Sequence, residues 1–221
     1  MLGCRHGRVL LSGREELIVI APITGDECHL SVPPEFKSGR YVIGAVLCAA
    51  VDHDHVHGSC HSSPFKVVLL STSTYYDGPE LAYARVYSSE TGIWTDLIST
   101  PTPYQLHGTA SHGSLIGNAL YWLCTQGSYI VEFDLDGQSL ALIGTPPIIY
   151  DDVRHHYDAR EIIEIVDGAV GLAILSNHYH NIQMLRRKVD CQGVTEWVLW
   201  KTIDMHNIHG WDERREARVN I

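Results

Sequence analysis

The stretch Ala110–Ile143, ASHGSLIGNALYWLCTQGSYIVEFDLDGQSLALI, decides the fold class. Its apolar segments divide into four strands, roughly Ala110 to Ile116, Ala119 to Cys124, Tyr129 to Leu135 and Ser139 to Ile143. Gly117-Asn118 and Asp136-Gly137 stand at two of the connections, and residues of these types tolerate the positive φ that tight hairpins demand. Four short strands joined in this way predict an antiparallel meander.

The same pattern recurs on both sides. Upstream, Tyr41 to Val51, Phe65 to Thr72, Leu81 to Ser88 and Ile93 to Ile98 form a second set, with Glu90-Thr91-Gly92 as its last turn. Downstream, Glu161 to Val166, Ala169 to Ser176, Asn181 to Val189 and Thr195 to Ile203 form another. A shorter set opens the chain, with Arg8 to Leu11, Leu17 to Ala21 and His29 to Val32, and here the innermost strand is missing. The second strands of the sets begin near residues 8, 65, 119 and 169, at intervals of 57, 54 and 50. Repeats of about 40 to 50 residues with four strands each are the signature of propeller blades. The predicted fold is therefore all-β: a partial β-propeller of about four consecutive four-stranded antiparallel blades, the first incomplete. A sandwich of short strands is the runner-up. Blades short of a closed ring leave sheet edges uncovered, which reads as the C-terminal part of a longer protein or a truncated relative of one. The repeats fill residues 1–205; residues 206–221 change to a charged tail or short helix, with Asp212, Glu213, Arg214, Arg215, Glu216 and Arg218 close together.

Composition narrows the function. The chain has 221 residues, 45% of them hydrophobic, enough to bury a substantial core. A formal charge of −10 repels phosphate backbones and anionic lipid, so neither nucleic acid nor membrane is an expected partner. Cys4, Cys28, Cys48, Cys60, Cys124 and Cys191 are scattered without a C-x-x-C pair, which fits a reducing, intracellular compartment, cytoplasmic or nuclear. The apolar run Tyr41 to Val51 is too short for a bilayer span and reads as a buried strand. Trp94, Tyr121-Trp122, Trp197 and Trp200 read as core.

One cluster suggests chemistry. Asp52, His53, Asp54, His55, His57, Cys60 and His61 combine imidazole, carboxylate and thiol, all of them zinc-ligand types. Their spacing lacks a fixed H-x-x-x-H or C-x-x-C pair, and the surrounding Gly and Ser favour a solvated loop. His53, His55, His57 and His61 thus stand as an alternative metal site only, and no cofactor is expected. His155-His156, His178 and His180 fall in or beside loops. The acid pairs Asp151-Asp152 and Glu15-Glu16 are adjacent in sequence, so on a strand they point opposite ways. No nucleophile elbow, phosphate-cradling loop or H-E-x-x-H pattern occurs, and no catalytic residue is predicted.

Several motifs, in order along the chain, resemble a known family. Cys4 to Leu11 (CRHGRVLL), Ala21 to Gly25 (APITG) with Val32-Pro33-Pro34, Ser63 to Val68 (SPFKVV), Val86 to Trp94 (VYSSETGIW), His112 to Leu123 (HGSLIGNALYWL) and Ile130 to Leu135 (IVEFDL) together look like the F-box-associated domain of plant F-box proteins. The resemblance covers about residues 3 to 205. It implies a kelch-like propeller that captures a protein substrate for a cullin–RING ubiquitin ligase. No F-box-like helical segment precedes Cys4, so docking on the Skp-type adaptor would need a longer form. The expectation is a non-enzymatic protein-interaction module, a substrate receptor lacking its F-box, with a partner of unknown identity. The alternatives are a metal-binding or sugar-active propeller enzyme using loop 52–61, or a degenerate fragment without independent function.

Overall fold

The computed structural model describes residues 1–13, 15–37, 42–50, 60, 62–72, 81–102, 113–124, 129–146, 160–175 and 181–205. They form four antiparallel sheets, the first four strands of each following chain order as the repeat predicted. The first holds β1 (Gly3–Arg5), β2 (Arg8–Ser12), β3 (Glu16–Ala21) and β4 (Asp26–Ser31). The second holds β5 (Val42–Cys48), β6 (Phe65–Thr72) and β7 (Leu81–Ser88), with two short pieces, β8 (Ile93–Trp94) and β9 (Ile98–Pro101), both paired to β7. The third holds β10 (Ser114–Ile116), β11 (Ala119–Leu123), β12 (Tyr129–Asp134) and β13 (Ser139–Gly144). The fourth holds β14 (Arg160–Glu164), β15 (Val170–Leu175), β16 (Asn181–Val189) and β17 (Thr195–Asp204). The chain divides into two compact units, Met1–Ile143 and Gly144–Ile221.

One sequence expectation is corrected here. The first sheet is not missing its innermost strand: Gly3–Arg5 supplies it, pairing Gly3 with Leu10 and Arg5 with Arg8. The connecting residues His6 and Gly7 both adopt positive φ, at 51° and 74°. That is the pattern of the tight turns matched to strand twist. Three residues of mixed polarity, with a histidine where glycine or asparagine is usual, carry too little periodicity to be read as a strand.

In the first unit the second sheet lies between the other two. Alternation along β6 divides its four fully buried apolar residues cleanly. Val68 and Leu70 join Ile43, Ala45, Leu47, Ala84 and Val86 against Leu120, Trp122, Val131 and Phe133 of the third sheet. Val67 and Leu69 join Val46 against Leu10, Leu17, Val19 and Leu30 of the first. A strand buried on both faces needs a continuous apolar run rather than an alternating one, and VVLL supplies it. Each such side chain contributes about 1.5–3 kcal/mol through burial.

Glycine sets the closest approach. A Cβ on Gly44 would lie 2.9 Å from the Val68 carbonyl oxygen, 3.0 Å from Leu69 Cδ2 and 3.3 Å from Leu10 Cδ2. The first and second sheets therefore meet at a point where no side chain fits. The one-turn helix α1 (Pro34–Lys37) closes the edge of this interface. Phe36 packs at 5.2 Å on Tyr83, whose hydroxyl donates to the Glu35 carbonyl at 3.0 Å, while Arg85 pairs with the Glu35 carboxylate at 2.9 Å. On the opposite side of the second sheet, Trp122 is fully buried, and a Cβ on Gly113 would lie 2.5 Å from its Nε1. Arg5 donates to the Gly113 carbonyl at 2.7 Å, tying the innermost strand of the first sheet to the start of the third.

Among the described residues the second unit holds one complete sheet. A ladder of Ile162, Leu172, Leu185 and Leu199 crosses all four strands. Its exposure rises from 0% at Leu172 to 56% at Leu199 on the outer strand. A register shift between Met184 and Leu185 leaves Trp200 out of the pairing, and that residue is 44% exposed. Trp200 thus departs from the core role expected of it. Trp197 instead donates its indole N–H to the Gly144 carbonyl at 2.7 Å.

Two substitutions test these constraints by chemical denaturation. Gly44→Ala forces a methyl against backbone and is expected to lower stability by about 1–3 kcal/mol. Gly92 has φ +70° and nothing within 4 Å of a built Cβ, so Gly92→Ala meets only left-handed backbone strain, about 1 kcal/mol. A smaller loss for Gly44→Ala than for Gly92→Ala would contradict the close-approach account.

Candidate functional site

Where the apolar contact between the first two sheets ends, a cleft of about 450 Å3 opens. Its inner wall is Val19 and Ala21 of β3 and Cys28 of β4; its opposite wall is the segment Ser62–Phe65 leading into β6. Asp26 and Glu27 stand on one rim, Ser89 and Glu90 on the other, and Arg8 lines the cleft from the start of β2.

Arg8 is unusual in being a cation with 3% exposure. Its guanidinium lies 5.2 Å from the centroid of the Phe65 ring and donates from Nη2 to the Ser63 carbonyl. Stacking of this kind is worth about 0.5–2 kcal/mol, more as water is excluded. The wall it holds is fixed by further bonds. Ser63 N–H donates to the Cys60 carbonyl at 3.0 Å, and the Pro64 carbonyl accepts from Ala49 N–H at 2.8 Å. Phe65 N–H donates to Ser89 Oγ at 2.8 Å, and Ser89 N–H returns a bond to the Phe65 carbonyl at 2.9 Å. Phe65, Tyr87 and Trp94 continue outward as an aromatic row, with ring centroids 6.3 and 5.4 Å apart. Burial raises the Tyr87 hydroxyl above its ordinary value, with Cys28 adding to the effect. The wall is therefore preformed.

The rim is acidic and less committed. Asp26 accepts from Thr24 Oγ1 at 2.7 Å. Beside the rim, exposed His29 bonds Glu16 at 3.0 Å and faces Glu27 at 3.7 Å, and the Glu16 hydrogen bond raises its imidazole above 6.5.

His53, His55, His57 and His61 are outside the described residues, as are Asp151-Asp152, His155-His156, His178, His180 and the tail 206–221. Cys60 is buried at the foot of the cleft wall. Among the described residues no group of His, Cys, Asp and Glu is placed to hold a metal ion. Glu15 and Glu16 do not converge: the Glu15 carbonyl accepts from Val32 N–H, while Glu16 pairs with His29. Sequence reasoning missed Arg8 and the cleft because the lining comes from segments far apart. The available signal was a lone arginine opening an otherwise apolar strand, together with four short motifs, CRHGRVLL, APITG, SPFKVV and VYSSETGIW, whose residues converge here.

No family model matches the chain, and no curated protein matches it. Among solved structures it is similar to the crystal structure of "a putative 6-phosphogluconolactonase" from Bacteroides fragilis, at 14% identity and a TM-score of 0.45, over 90% of this chain. The chain spans 55% of the length of that protein. A likeness of this degree transfers neither name nor activity. The expectation of an F-box substrate receptor is corrected: no family model and no curated protein supports a substrate-recognition role in a ubiquitin ligase. No helix among the described residues is long and apolar enough to cross a membrane.

Two titrations check the local chemistry. Burial pushes the Cys124 thiol up to about 11, and Cys60 is fully enclosed, whereas Cys4 and Cys191 are exposed. Thiol-specific reagent is expected to modify Cys4 and Cys191 rapidly, and Cys60 and Cys124 only on unfolding. For His29, pairing raises the folded-state value, so its stabilising contribution is complete below 6.5 and is lost as pH climbs through the folded value. The NMR titration midpoint of His29 is expected above 6.5 and should fall in Glu16→Gln; a midpoint unmoved by that substitution would refute the pairing.

Proposed function

We propose that this chain is a recognition module with no reaction of its own, and that the cleft between its first two sheets receives a small ligand. The observation that carries this reading is the division of labour among the lining residues. Ser63, Pro64, Phe65 and Ser89 make hydrogen bonds that hold the wall, and Arg8 stacks on that wall and bonds to it. Asp26, Glu27 and Glu90 stand exposed at the mouth, where a ligand would meet them. A preformed pocket with apolar walls and a few polar groups at its mouth is the usual form of a small-molecule site, and its volume of about 450 Å3 suits a ligand the size of one aromatic ring with a short side chain. The six thiols, none in a disulfide, support placing the module in the cytoplasm or nucleus.

Ligand-observed NMR with a library of small ring compounds tests the reading. Saturable binding is expected, and Ser62→Trp, which places an indole in the mouth without touching the wall's hydrogen bonds, should abolish it. Hits that bind Ser62→Trp as well as the parent chain would remove the cleft from consideration.

A further inference from the structure

We infer that the cleft selects an amphipathic cation: a ligand whose apolar body lies against Val19, Ala21 and Cys28 and whose ammonium group stays at the rim between Glu27 and Glu90. This inference rests on the cleft being a ligand site and adds which chemistry it takes.

Three observations converge. The interior wall is apolar, with Val19 and Ala21 buried and Pro64 and Phe65 facing them, so the deep end rewards hydrocarbon. The polar groups are unequal in sign: Asp26, Glu27 and Glu90 against Arg8 give the lining a formal charge of −2, in a chain whose charge is −10. That field attracts cations and repels carboxylates and phosphates. The two signs are also separated by depth. Arg8 is buried and stacked on Phe65, whereas Asp26, Glu27 and Glu90 are exposed. A cationic head is thus repelled from the floor and held at the mouth, which fixes the orientation of the ligand as well as its sign. A carboxylate head would have to pass the acidic rim to reach the guanidinium, whose Nη2 is already bonded to the Ser63 carbonyl.

The test uses three probes of nearly equal shape: 2-phenylethylammonium, 2-phenylethanol and phenylacetate. Binding to the full chain is followed by the amide shifts of Ala21 and Cys28, and by fluorescence of Trp94 as an independent readout. The expected order is ammonium tightest, alcohol next, phenylacetate weakest, with the cation favoured over the anion by roughly tenfold or more at low salt and the gap narrowing as salt rises. Glu27→Gln with Glu90→Gln should bring the ammonium probe down to the level of the alcohol while leaving the alcohol unchanged. Phenylacetate binding as tightly as the ammonium probe, or an ammonium affinity unmoved in the double variant, would overturn the charge assignment while the ligand site itself stands. Failure of all three probes to shift Ala21 or Cys28 would overturn both.

Discussion

The strands β5, β6 and β7 have to hide two faces at once, and the rest of the first unit follows from how they do it. Val68 and Leu70 point to one neighbouring sheet and Val67 and Leu69 to the other, all four without solvent contact. A one-residue slip of β6 would exchange these sets and drive Lys66 toward a buried face. Register is held by the ladder from Val42–Ser71 to Cys48–Phe65 and, at its middle, by Gly44, which alone lets Leu10 and Leu69 close over the same spot.

The cleft is the local consequence of ending that contact. At the start of β6 the apolar run gives way to Phe65, only half-buried, and the first sheet answers with Arg8 in place of another hydrophobe. A leucine at that position would continue the core; the guanidinium instead caps it. It covers an aromatic ring with its planar face and uses its donor edge to secure the adjoining backbone. Stability and site are therefore built from the same residue, since what rigidifies the wall also places a positive charge under a negative rim.

Much of the fold was legible in the sequence, and for a physical reason. β6, β7 and β16 have the bounds read from the sequence, because strands stop where turn residues begin and those turns need left-handed backbone. Gly25, Gly92 and Gly193 take positive φ as their turns required. In the third sheet the task passes to Gln138, at φ 44°, with Asp134 accepting the N–H groups of Asp136 and Gly137. The strand β1 was hidden because three residues carry no period, and α1 because a single turn beginning at Pro34 has no helical stripe. The division of the fourth strand of the second sheet into β8 and β9 left no mark in the pattern either. The cleft was the least legible feature. Arg8, Cys28, Ser63, Phe65 and Glu90 come together through sheet packing, and no spacing along the chain encodes it. The imidazole-rich segment drew attention by composition, whereas the cleft's polar groups are individually ordinary.

Native-state hydrogen exchange tests the two-faced burial of the second sheet most directly. The account predicts that amides of Val67 to Leu70 and Ala82 to Val86 are the slowest in the chain and open only with global unfolding of the first unit, while those of β16 and β17 exchange sooner. Protection in Val67 to Leu70 no greater than in Leu185 to Val189 would contradict it.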